Sequence, residues 1–296
     1  MLEQRKITLS KLFIHCIFIL LSASFIIPIL TIVSISISNE ASMYQHGFKI
    51  IPEQLDFSAY KYLFGAPKQI ISAYKVTAIS SVAGVLIYLV MASMCAYALA
   101  RQDFKFRKVI TFYLFLTMLF NGGLVPTYIL MTSYLKLQNT YAALIIPLLS
   151  NVWYVMLMRT FFQDIPSSIV ESANIDGASE LTVYFRIILP LSKPVLATVG
   201  MLQLLAFWNS WFPALLYISK SNMYPLQYML QTMLRNIQEA MRDMNNMQSI
   251  AADLSKLPSE SLRMAMAIVA IGPMAMIFPF FQKYFTRGLT VGSVKG

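Results

Sequence analysis

The side chains that could do chemistry in this chain are few and poorly grouped. His15 and His46, the two histidines, have no carboxylate or cysteine at a spacing that would pair with them, and Cys16 and Cys95 both fall inside apolar runs. Neither a disulfide framework nor a metal-ligand spacing follows from these four, and the cysteines read as small packing residues. A hydrolase would need a nucleophile beside a base, and an ATPase a phosphate loop of the form G-x-x-x-x-G-K-[ST]. The dipeptide Gly-Lys occurs nowhere. We therefore expect no catalytic residue, no metal site and no cofactor bound by this chain. The patterned polar group is a set of four carboxylates, Asp164, Glu171, Asp176 and Glu180, within residues 159–194. Acidic side chains in such a stretch suit docking of a protein, because a loop resting on anionic lipid would present a basic face.

The rest of the chain decides where that stretch lies. Of 296 residues, 57 % are hydrophobic and 12 % charged, the formal net charge is +10 and the mean hydropathy is +0.63. That composition excludes an ordinary soluble enzyme. Uncharged runs cover residues 12–39, 76–100, 109–135, 141–158, 195–219 and 264–282. A helix needs about 20 apolar residues to cross roughly 30 Å of hydrocarbon, so five runs suffice and 141–158 is marginal but adequate. Because the runs are continuous and do not alternate, they predict six helices rather than barrel strands. Residues 12–39 exceed a signal-peptide apolar region and lack a clear small-x-small cleavage site, so they read as a retained anchor.

Orientation follows from the basic residues. With the N-terminus inside, residues 1–11, 101–108, 159–194 and 283–296 are cytoplasmic and hold thirteen of the 23 Lys/Arg residues. Arg101, Lys105, Arg107 and Lys108 are the sharpest marker, and an even number of spans returns the C-terminus inside, beside Lys283, Arg287 and Lys295. The positive charge thus concerns topology and anionic lipid, with no nucleic-acid partner implied. No run carries Asp, Glu, Lys or Arg in its interior, where ion-coupled carriers place their coupling groups. Energy for uphill transport is expected to enter from another polypeptide.

Residues 159–194 have a strong local grammar. Pro166 suits a helix's first turn, with Glu171 near its positive end. Asp176-Gly177 is a break at which glycine can take positive φ, and Ser179 can cap a second helix ending near Leu189-Pro190. The expected product is two short helices around a sharp bend beneath the membrane. Ile169, Ala173 and, less well placed, Ile175 offer a small apolar face beside Glu171. Ser172, Ala173 and Ala178 are small enough for another surface to approach.

These residues carry a resemblance. Glu171-Ser-Ala-x-x-Asp176-Gly177-Ala178-Ser179, followed by Phe185, Ile187, Leu189-Pro190-Leu191 and Pro194, is similar to the EAA loop of binding-protein-dependent ABC importer permeases. Ser172 in place of the usual alanine is the one departure. The chain further resembles the maltose-type sugar permeases, the smaller of the two partner subunits, in Trp208-Asn209 and in an ending Gly288-Leu-Thr-Val-Gly292-Ser-Val-Lys295-Gly296. A subgroup importing complex oligosaccharides is indicated by Asn121-Gly-Gly-Leu-Val-Pro126, Trp208-Asn-Ser-Trp-Phe212, Tyr224-Pro-Leu-Gln227 and Pro279-Phe-Phe-Gln-Lys-Tyr-Phe285.

The resemblance implies an all-α membrane protein of six transmembrane helices, the type I ABC importer permease fold, with both termini cytoplasmic. It implies one permease domain over 1–296 with its core at about 72–285. Residues 159–194 would be the cytoplasmic coupling loop, 221–263 an external segment and 283–296 a cytoplasmic tail. Glu171, Ser172, Ala173, Asp176, Gly177 and Ala178 would contact a cytoplasmic ATPase. The implied partners are a second homologous permease, two ATPase subunits that bind ATP and Mg, an extracellular or periplasmic solute-binding protein, an oligosaccharide and the bilayer of a bacterial cytoplasmic membrane.

Sugar recognition uses aromatic faces with amides or hydroxyls. Candidate path residues are Asn121, Asn151, Phe207, Trp208, Asn209 and Trp211, although Trp also forms interfacial belts and Asn joins helices. Within 221–263, Leu226, Met229, Leu230, Met233, Leu234, Ile237, Met241 and Met244 recur at helical spacing. This predicts an amphipathic external helix, which either rests on the membrane surface or the protein's own rim, or receives the binding protein. Pro126, Pro147, Pro213, Pro273 and Pro279 fall within the runs as hinges or fixed bends. The alternative to a permease subunit is a self-sufficient carrier or channel; the alternative substrate is another polar solute.

Overall fold

The computed structural model describes residues 9–65, 67–245 and 259–288. Arg5, Lys6, Lys295, the 246–258 part of the external segment and the ending after Gly288 lie outside the described residues. All described regular elements are helical, apart from an isolated antiparallel bridge between Ser38 and Leu55.

The helices in chain order are α1 (Leu9–Ser36), α2 (Glu40–His46), α3 (Ser58–Leu63), α4 (Pro67–Ala100), α5 (Arg107–Leu119) and α6 (Leu124–Ile129) with a π-helical turn at Leu130–Tyr134. Next come α7 (Tyr141–Ile145), continued as a 3-10 turn Ile146–Leu148, α8 (Val152–Gln163) and α9 (Ser167–Ile175). The short α10 (Glu180–Val183), a π-helical turn Tyr184–Ile188 and α11 (Leu189–Leu191) make one run. The chain closes with α12 (Lys193–Trp208), α13 (Phe212–Tyr217), α14 (Leu226–Asn245) and α15 (Ser259–Gly288).

Three segments, Phe13–Ser36, Pro67–Ala100 and Glu260–Gln282, are each long and apolar enough to cross a bilayer unaided. Three more candidates are bent pairs: Arg107–Leu119 with Leu124–Tyr134 at 110°, Tyr141–Leu148 with Val152–Gln163 at 56°, and Glu180–Leu191 with Lys193–Trp208 at 78°. The first two bends interrupt the expected continuous runs 109–135 and 141–158; the third lies at Ser192, ahead of the run 195–219, which is instead broken between Trp208 and Phe212. Gly123 at φ 87° ends the first extended break, and Asn121 Oδ1 accepts the Gly123 amide at 2.8 Å. Pro147 sits in the 3-10 turn before the second. Asn209 caps α12 before Pro213 restarts the chain as α13.

The second break shows how a membrane helix interruption is satisfied. Its freed Leu148 carbonyl accepts Gln203 Nε2 at 2.7 Å, and the Asn151 carbonyl accepts the Tyr88 hydroxyl at 2.5 Å. Gln203 and Tyr88 are each 1 % exposed, so two buried side chains from other helices are spent on the half-buried backbone of the break. Gly84 admits Phe207 so closely that a Cβ there would lie 2.4 Å from the ring. That contact brings α4 and α12 together.

The chain divides into two compact units. One comprises Met1–Pro67 and Thr232–Gly272, the other Lys68–Gln231 and Pro273–Gly296. In the first, Asn39 caps α2 through the Ser42 amide at 3.2 Å. Glu40 accepts the Glu260 amide at 3.2 Å, completing the start of α15. His46 gains a carboxylate that its sequence neighbours did not reveal: its Nδ1 lies 3.1 Å from Glu53, which also meets Lys49. The Lys49 ammonium beside it holds the Glu53 carboxyl below its ordinary range.

In the second unit, the core joins Tyr88, Ala92, Ala96 and Leu99 of α4 to Val155, Met158 and Phe162 of α8 and to Ala173, Val183 and Ile188. A second cluster gathers Val76, Met131, Leu144, Tyr217 and Tyr228. Asn139, at φ 56°, accepts the amides of Ser219 and Lys220 at 2.8 and 3.1 Å and so fixes the turn after α13. The start of α14 is buried at Leu226, Met229 and Leu230, with the Leu226 amide donating to Thr77 Oγ1 at 2.8 Å.

Candidate functional site

The 159–194 stretch folds as two helices around a bend. α8 ends at Gln163, and Pro166 stands immediately before α9 with no donor to lose. Asp176 closes α9, its amide donating to the Ser172 carbonyl at 3.1 Å, and Gly177 follows at φ 76°. A Cβ on Gly177 would meet nothing within 4 Å, so backbone conformation rather than crowding requires glycine. The Ala178 amide then donates back to the Ala173 carbonyl at 3.0 Å. Ser179 Oγ accepts the Thr182 amide at 3.3 Å, capping α10 as its position predicts.

The faces divide cleanly. Glu171, Ser172, Asp176 and Gly177 are exposed, Ala178 is half-buried, and Ile175 is 86 % exposed. Ala173 points the other way, 9 % exposed within the core that contains Tyr88 and Phe162. It seats α9 on its own subunit. A cleft of about 650 Å³ opens between this helix and the end of α4, lined by Arg101, Asp103, Asp164, Pro166, Glu171 and Asn174 among others.

Tyr97 and Asp103, which the sequence did not single out, join Arg101 and Glu180 in tying the loop's second helix to α4. Arg101 reaches Asp103 with two hydrogen bonds, at 2.9 and 2.6 Å, and Glu180 at 3.0 Å. The Tyr97 hydroxyl donates to the other Glu180 oxygen at 2.9 Å. The guanidinium holds the Asp103 carboxyl below its usual range, while the Asp103 bond raises the Arg101 pKa still further, so both remain charged at neutral pH. These contacts span about eighty positions, and a polar Tyr-x-x-x-Arg spacing at the end of an apolar run was their one sequence signal.

The other candidate residues do not converge into one pocket. Asn121 is exposed at the first break, and Asn151 gives its carbonyl to Tyr88 at the second. Phe207 and Trp208 are 4 % and 6 % exposed, Phe207 over Gly84 and Trp208 beside the Tyr74 ring at 6.4 Å. Asn209 is exposed and accepts Gln227 Nε2 at 3.2 Å. Trp211 is half-buried against the Phe212 ring, 5.7 Å away. Among the described residues, no cluster of His, Cys, Asp or Glu could hold a metal ion.

Known proteins share this architecture. The chain is 37 % identical to Protein LplC of Bacillus subtilis (strain 168), over 92 % of this chain and 90 % of that one. It is 34 % identical to the polygalacturonan/rhamnogalacturonan transport system permease protein YtcP of the same organism, over 92 % and 93 %. A crystal structure of a bacterial ABC transporter involved in the import of the acidic polysaccharide alginate contains a similar chain. Its TM-score is 0.78 at 28 % identity, covering 95 % of this chain and 98 % of that one. Residues 88–291 match the family described as binding-protein-dependent transport system inner membrane component. By that match, and by relatives above 30 % identity along nearly its whole length, the chain belongs to this family of ABC importer permeases.

Proposed function

We propose that this chain is one of two permease subunits of an ATP-driven oligosaccharide importer, crossing the bacterial cytoplasmic membrane six times with both termini inside. The observation that carries the reading is the rigid helix–bend–helix at 159–194, with Glu171, Ser172, Asp176 and Gly177 facing outward and Ala173 anchored inward. Such a unit can be displaced as a body, as a seat for an ATPase must be. ATP and Mg would be bound by two partner ATPase subunits. A second permease would complete the path, and an external binding protein would deliver the substrate.

The oligosaccharide assignment is supported by what the similar proteins are named for, polygalacturonan and rhamnogalacturonan in one case and alginate in another. Asn121, Asn151, Asn209 and Trp211 are the candidate path residues. Phe207 and Trp208, packed against α4, would support them from behind. The apolar face of α14 rests on the chain itself at Leu226, Met229 and Leu230, which leaves its polar face for the binding protein.

The test is co-purification from the native membrane followed by ATP hydrolysis with and without Glu171→Lys. A bound ATPase and second permease, with hydrolysis cut at least tenfold by the charge reversal, is the expected result. Uptake of oligogalacturonate against maltooligosaccharide by the reconstituted complex then separates acidic from neutral sugar. A chain that purifies alone and transports without ATP would overturn the reading in favour of a carrier.

A further inference from the structure

Near the cytoplasmic end of α4, Ser93, Tyr97 and Arg101 recur at four-residue spacing and form one row. The row meets Glu180 and Tyr184, themselves four apart, on the second helix of the 159–194 loop. Three rungs result. The Ser93 and Tyr184 hydroxyls are 2.6 Å apart in a buried setting; the Tyr97 hydroxyl donates to one Glu180 oxygen at 2.9 Å; Arg101 lies 3.0 Å from the other. The Tyr97 and Tyr184 rings, 5.4 Å between centroids, fill the space between rungs.

Glu180 thus has both carboxylate oxygens committed to the end of α4 and the residue after it, and Arg101 is itself aimed by the two hydrogen bonds it donates to Asp103. A single surface ion pair is weak and would leave the two helices free to pivot. Three contacts along about 12 Å of helix resist both sliding and rotation. The other half of the loop, through Ala173, belongs to the same core cluster as Tyr88, Ala92 and Ala96 of α4.

We propose that Glu180, gripped by Tyr97 and Arg101, is a positioning residue that passes displacement of the ATPase-facing loop into α4, so that ATP turnover and movement of the path occur together. This rests on the reading of residues 159–194 as the ATPase seat. Glu180 is exposed like Glu171 and Asp176, but its carboxylate is turned onto Tyr97 and Arg101, and it acts through the helix it holds.

The experiment uses the full transporter complex in vesicles, with Cys16 and Cys95 replaced by serine and a fluorophore on Lys75→Cys, an exposed position in the first third of α4. ATP hydrolysis and the fluorescence change on vanadate trapping are read in parallel. In Glu180→Gln and in Tyr97→Phe, the ATPase stays bound and hydrolysis stays within twofold, while the fluorescence change falls at least threefold. The double variant is no worse than Glu180→Gln alone, because both remove one contact, and Glu180→Asp recovers part of the signal. Retention of the full fluorescence change in both single variants, or its absence in the parent complex, overturns the proposal. Loss of the ATPase from Glu180→Gln also overturns it, by placing Glu180 in the docking surface. Failure of the parent complex to hold any ATPase refutes the functional reading itself and is visible before a variant is made.

Discussion

At the scale of single residues, backbone conformation and burial decide what each side chain can do. Gly177 occupies the left-handed region with open space around it, so a side chain there is opposed by its own backbone at about 1–2 kcal/mol. Gly177→Asn, whose short polar side chain tolerates that region, is expected to keep most transport. Gly177→Val is expected to lose it several-fold with the protein still inserted; equal uptake by the two variants in whole cells would contradict this. Trp208 is predicted to act through packing. Trp208→Ala should cost about 3–5 kcal/mol of stability, seen as a lower melting temperature of the purified complex, without a change in the order of preferred sugars. Gly177 and the Ser179 cap were legible in the sequence because both depend on a few adjacent residues. The inward turn of Ala173 and the Tyr97–Glu180 bond were not, because each is settled by partners many positions away.

At the scale of elements, the apolar runs were read correctly as helical, and three of the six proved to be interrupted. Hydropathy averages over a window and is blind to a break whose residues, such as Gly122 and Leu149, are not charged. Local signals did exist: Gly122-Gly123 and Pro147 each mark an interruption. What could not be read was how the breaks are satisfied, since Gln203 and Tyr88 come from other helices. Gln203→Leu is predicted to lower stability by about 0.6–1.7 kcal/mol, the range for a side-chain hydrogen bond within a membrane protein. Thermal unfolding of the detergent-purified complex checks it, and an unchanged midpoint would remove the assigned role. Gly84→Leu should do more damage, because the Phe207 ring occupies the space its side chain needs. Assembly measured by co-purification is expected to fall severalfold.

At the scale of the whole molecule, much apolar surface has no cover within the chain. No residue of α5 is buried, and α1 exposes Phe13, Phe18, Phe25 and Ile29. Lipid accounts for such surface in part, and under the proposed assembly a second permease accounts for the rest. The chain expressed without its partner is expected to be degraded several-fold faster than with it, measured by pulse-chase in the native host. Equal half-lives would indicate a subunit stable by itself. Composition and charge placed the molecule in the membrane, and the loop pattern placed it in its family. The division into two units was not legible, because it joins residues before Pro67 to a segment beginning at Thr232. The breaks at Pro147 and at Gly122-Gly123 differ in mechanical character. At Pro147 the freed carbonyls of Leu148 and Asn151 are each clasped by a buried side chain from another helix, so bending there would break two hydrogen bonds between helices. At Gly122-Gly123 an added Cβ would meet nothing within 4 Å. The Pro147 elbow is thus cross-braced by two other helices, whereas the glycine bend is braced from within its own turn, by Asn121.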